Sequence, residues 1–198
     1  MNVHDIPMVI FTVVSQMAVG TFIALGVIQL VLGRRHDAQV REHVMAPVTY
    51  AVGPVLVLGL IVSIFHVNDV THIHNVVRGW QSSWLAREIL FGLAFAVAGF
   101  AFALLNWFQR GSAALRQWLA ALTALLGVGL LWSEAMIYYS LEAVPAWHTW
   151  VVPFEFVATA VLLGVLAVGA AMMVTTEVRA RVAPPLSAGA AGAVAPTG

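Results

Sequence analysis

The chain has no cysteine and no lysine among its 198 residues, and only 9% of them are charged. Without thiolates it cannot itself ligate an iron–sulfur cluster, attach a c-type haem covalently or form a disulfide. The formal net charge is zero and no basic tract stands out, so nucleic acid is not an expected ligand. Any redox centre must therefore be carried by histidine or by a partner. What the sequence does have is apolar surface: 61% of its residues are hydrophobic, which places it among membrane proteins. Met1 to Asp5 lacks the positive stretch of a secretory signal, and the apolar run behind it is too long for one, so the start is expected to be part of the fold.

Five stretches are long enough to cross a bilayer, which takes about 20 apolar helical residues. They lie near 7–32, 46–65, 87–107, 116–139 and 150–174. The expected fold is all-α, a polytopic bundle of five transmembrane helices over 1–178, with a disordered cytoplasmic tail over 179–198 where Pro, Gly and Ala dominate. Pro7 and Pro153 suit first helical turns, whereas Pro54 falls inside the second span and predicts a kink. Gly20 with Ala24, Gly59 with Ser63, Gly92 with Ala96 and Gly99 with Ala103 have the spacing that lets helices approach closely in lipid. Basic residues near span ends stay on the cytoplasmic side. With the N-terminus outside and the C-terminus inside, the cytoplasmic segments hold Arg34, Arg35, Arg41, Arg110, Arg116, Arg179 and Arg181, and only Arg78 and Arg87 face out.

In that topology the polar residues gather toward the outer leaflet. Gln16 sits two to three turns into the first span, His66 ends the second, Arg87 and Glu88 open the third, Glu134 lies one turn before Tyr138 in the fourth, and His148 and Glu155 open the fifth. A carboxylate within a span costs at least ~2.5 kcal/mol near the bilayer centre, so Glu134 demands a partner or a wet cavity. The longest polar interval, residues 65–88, adds His72, His74, Trp80 and Trp84. A lone His-x-His without a third ligand is weak support for metal, and none is expected. His148 between Trp147 and Trp150 fits an interfacial aromatic belt. Histidine, carboxylates, tyrosine and tryptophan at one boundary suit a lipid-soluble quinol, whose oxidation releases two electrons and two protons. Imidazole and carboxylate accept protons, and indole and phenol supply flat walls.

These residues also carry a resemblance. His4-Asp5-Ile6-Pro7-Met8-Val9-Ile10-Phe11-Thr12, with Gln16 and Gly20 behind it, resembles the opening of the membrane anchor subunits of dimethyl sulfoxide reductase. So do Phe65-His66, Asn75 and Ser83-Trp84-Leu85-Ala86-Arg87-Glu88, with weaker matches at Met136-Ile137-Tyr138 and Pro145-Ala146-Trp147. The resemblance implies a multi-pass subunit of the inner (plasma) membrane that oxidises menaquinol during anaerobic respiration. It would pass the electrons to an iron–sulfur subunit with four clusters, and through it to a molybdopterin catalytic subunit. It would hold a quinol-oxidising site but no catalytic centre for the terminal substrate. The histidine ending the second helix and the acid opening the third carry over to His66 and Glu88 as the catalytic pair. Arg87, Trp84, Gln16, Glu134 and Tyr138 join them as candidate pocket residues. Typical members have eight spans, against five here, and their His-Leu-Gly is His66-Val67-Asn68 in this sequence.

Two other readings stay open. A five-span haem b cytochrome subunit of a respiratory reductase would match the span count, but haem needs facing histidines, and only His66 and His148 near the span ends are available. A Soret band would decide for it. A non-catalytic transporter or assembly protein is the other, and consistent absence of an iron–sulfur partner would favour it.

Overall fold

The computed structural model describes residues 6–33 and 78–182, with side chains over 9–28 and 78–174. Within these residues it is all-helical: α1 (Ile6–Gly33), α2 (Trp84–Trp107), α3 (Ala113–Tyr139) and α4 (Val151–Val182). Four segments, Val9–Ile28, Trp84–Trp107, Ala113–Tyr139 and Val151–Val174, are long and apolar enough to cross a membrane. They correspond to the first, third, fourth and fifth expected spans. The second, 46–65, lies outside the described residues, as do His66, His72, His74 and the Gly59–Ser63 pair. α4 runs on to Val182, into the stretch from 179 expected as tail.

Local chemistry sets the helix ends. Ser83 and Ser112, both extended, accept from the amides of Ala86 and Leu115 and so cap α2 and α3. α2 stops where Gln109 turns left-handed at φ 52° and the Arg110 amide donates back to the Leu105 carbonyl, a closure that satisfies the last carbonyls. Pro153 lies in the first turn of α4, where a missing amide proton costs nothing.

α3 touches each of the other three helices, and the remaining close pairing is α1 with α4. Phe22 of α1 fills the centre, meeting Phe95 and Phe102 of α2 edge to face at 5.5 and 5.6 Å. In lipid no hydrophobic force drives such helices together, so close packing must do so. Its extreme is the α1–α4 crossing, where Gly20 lies against the backbone of Ala160 and Gly164.

Candidate functional site

Helix register brings two carboxylates together. α2 and α3 run antiparallel with Gly92 against Leu130 and Phe95 against Gly127. Continuing that ladder one turn toward the start of α2 sets Glu88 opposite Glu134. Glu88 is 7% exposed and Glu134 3%, and the two lie close enough to act on each other electrostatically. At about 1.5 Å per residue, Glu88 stands roughly 6 Å inside the start of α2 and Glu134 roughly 8 Å inside the end of α3. Both therefore belong to one end of the bundle.

α1 closes the site from the other side. Ser15 donates to Glu134 Oε1 at 2.5 Å and also stands 2.9 Å from the Thr12 carbonyl. One turn toward the boundary, the Thr12 side chain is hydrogen-bonded to the Tyr138 phenol. Gln16 is buried beside Ser15 at 5% exposure. Glu134 Oε2 is buried and has no hydrogen-bond partner among the described residues. Such an atom forfeits the hydration it had in water without replacement, a cost of about 1–3 kcal/mol or more for a charged group. Tyr138 is half-buried, with Trp147 and Phe156 at ring distances of 5.4 and 5.6 Å. A carboxylate pair and a phenol under aromatic cover can exchange protons with a flat polar-edged molecule.

Arg87 does not join this cluster. Its guanidinium donates to the carbonyls of Trp80 and Gln81 at 2.8 and 2.6 Å and lies 4.1 Å over the Trp84 ring. No Arg87–Glu88 ion pair forms, because adjacent residues on a helix point about 100° apart. Arg87 and Trp84 thus staple the entry of α2, and any part they play is at the rim. His148, on the exposed turn before α4, faces the Tyr139 carbonyl through Nδ1 at 2.7 Å and stacks on the Tyr139 ring. Trp150 extends that aromatic tier to Trp132. Among the described residues no three His, Asp or Glu side chains are placed to hold a metal ion.

Of the sequence candidates, Glu88, Glu134 and Tyr138 converge, Gln16 is buried next to Ser15 along α1, Arg87 and Trp84 sit at the edge, and His66 lies outside the described residues. Sequence reasoning missed Thr12 and Ser15. The signal was present: positions 12, 15 and 16 share one helix face at i, i+3 and i+4, in a run otherwise apolar.

The family model described as DMSO reductase anchor subunit (DmsC) matches residues 1–189. Among curated proteins, one polypeptide of the anaerobic dimethyl sulfoxide reductase of Escherichia coli is 32% identical to this sequence over 164 residues, a match covering 82% of this protein and 56% of the relative. Its namesake in Haemophilus influenzae is 26% identical over 179 residues, covering 90% and 62%. A third match, 30% over 115 residues, is to a sulfite dehydrogenase polypeptide of Allochromatium vinosum, covering 50% and 35%. The protein thus spans little more than half the length of the two reductase polypeptides. No solved structure shows significant similarity to it.

Proposed function

The protein belongs to the DMSO reductase anchor subunit (DmsC) family, and from that premise we propose that it oxidises menaquinol at the Glu88–Glu134 end of its bundle. With the family, the four apolar helices fit a multi-pass inner-membrane protein. The observation that carries the quinol reading is the juxtaposition of two buried carboxylates, one from each of two membrane helices, beside Tyr138 at a single boundary. Isolated, each would be costly in lipid; together, under a phenol and indoles, they form a place for protons to go.

In this reading five helices cross the membrane, His66 ends the second, and the N-terminus lies outside. The substrate is the quinol, whose ring hydroxyls meet His66 and Glu88 while Trp84 and Tyr138 border the ring. The two electrons pass to an iron–sulfur subunit with four clusters and on to a molybdopterin catalytic subunit. These docked partners supply the redox centres that the lack of thiols denies this protein. The name of the Allochromatium relative, a dehydrogenase, favours a second direction in which the same site reduces a quinone.

The test is purification of the complex followed by addition of a reduced menaquinone analogue. Reduction of co-purified iron–sulfur centres, with no b-type haem absorption, is expected; a protein that purifies alone and carries haem b contradicts the reading. Orientation is checked separately, since the sequence has no cysteine of its own. Ala143→Cys, in the exposed turn after α3, is expected to react with an impermeant thiol reagent from outside intact spheroplasts. Ala113→Cys, at the opposite end of α3, is expected to react only after lysis; the reverse pattern would invert the topology.

A further inference from the structure

Ser15 is where this bundle departs from ordinary helix packing. The equally buried hydroxyls of Thr21, Thr123 and Ser133 each donate to the carbonyl one turn back in their own helix, the usual way a hydroxyl is satisfied in lipid. Ser15 instead faces two acceptors, the Thr12 carbonyl and Glu134 Oε1. A hydroxyl has one proton to give, so it serves only one of them at a time. If the carboxyl carries a proton, both contacts are satisfied at once: Glu134 donates to Ser15 and Ser15 donates to Thr12. The same three groups thus have two arrangements that differ by a single proton.

The other carboxyl oxygen points to what delivers that proton. Oε2 is buried without a partner among the described residues, on a side chain 3% exposed. Among the described residues, the ionisable groups set around it are Glu88 from α2 and Tyr138 one turn along α3. Neither Tyr138, which is hydrogen-bonded to the Thr12 side chain, nor Glu88 makes a hydrogen bond to Oε2. No donor among the described residues reaches Oε2, which leaves that oxygen open to one from outside them.

We propose that Glu134 is the proton-loading group of the quinol site and Ser15 its positioning residue, with Oε2 accepting the hydrogen bond of one ring hydroxyl. The proposal rests on the quinol reading above. The quinol gives up two protons and two electrons. One proton moves to Glu134 and reverses the Ser15 hydrogen bond, the other moves to Glu88, and both electrons leave to the iron–sulfur subunit. Glu134 then gives that proton up to water at the Tyr138 end of the bundle, and Ser15 turns back from the Thr12 carbonyl to the carboxylate.

The test uses the assembled complex, with quinol-dependent turnover and infrared difference spectra recorded on adding a reduced menaquinone analogue. Ser15→Ala is expected to lower kcat about tenfold at little change in KM, the effect of losing one hydrogen bond to a charged group. Ser15→Thr, which keeps the hydroxyl, is expected to recover most of it. The spectra should show a protonated-carboxyl band that disappears in Glu134→Gln and shifts in Ser15→Ala. Wild-type kcat in both Ser15→Ala and Glu134→Gln, or a band that survives Glu134→Gln, would overturn the assignment. If Glu88→Gln still stops turnover in that case, only the loading role is lost. If Glu88→Gln and His66→Ala also turn over quinol normally, the quinol reading falls with it.

Discussion

Glu88→Gln is expected to lower quinol-dependent turnover of the assembled complex by about a hundredfold or more, the range for removing a group that accepts a proton in the reaction. The substitution keeps side-chain volume and buries no new charge, so the register that sets residue 88 against Glu134 should survive. Glutamine can still accept a hydrogen bond from a ring hydroxyl, and binding should weaken far less than turnover. His66→Ala is expected to act in the same direction. A soluble donor that reduces the catalytic subunit directly bypasses the membrane subunit, and its rate reports assembly. If Glu88→Gln retains wild-type kcat with the quinol analogue, Glu88 takes no proton.

Gly20→Leu should damage the fold more than any other single change in α1. A Cβ at residue 20 meets the Ala160 carbonyl and the Gly164 Cα, which are backbone atoms that no rotamer change can move. Overpacking a core costs about 1–3 kcal/mol where side chains can adjust, and here the helices themselves must separate. The loss propagates to the site, because α1 carries Ser15 against Glu134. The expected result is a clear fall in the Tm of the detergent-solubilised protein together with loss of quinol turnover. Gly26→Leu is the control, since nothing among the described residues lies within 4 Å of its added Cβ; it should leave the Tm near that of the wild type. Equal behaviour of the two variants would mean that the α1–α4 crossing does not hold the bundle.

Four of the spans are legible in the sequence because their apolar runs are long and their ends are punctuated. Ser83 and Ser112 cap helices, and Pro7 and Pro153 lie within first turns. Glu134 is legible as a site residue because lipid makes a carboxylate conspicuous. What it pairs with is not, since serine hydroxyls in membrane helices usually turn back on their own backbone, and nothing in one sequence says that Ser15 also reaches across to Glu134. The register of α2 on α3, which sets Glu88 against Glu134, depends on Phe95 fitting over Gly127, a tertiary match between distant segments. Arg87 misleads for a local reason. Its adjacency to Glu88 suggests an ion pair, but the helical turn sends the guanidinium back over Trp84 to the carbonyls of Trp80 and Gln81.

The most direct measurement is photoaffinity labelling of the purified complex with a menaquinone analogue carrying a light-activated group on its ring, followed by peptide mapping. The label is predicted on the segments around Ser15, Glu88 and Tyr138, displaced by excess unlabelled quinone. Label confined to the outward face of α4 around Leu162 and Leu166, or to the far end of the bundle near Leu25 and Phe102, would place the quinone away from the carboxylates and contradict the assignment.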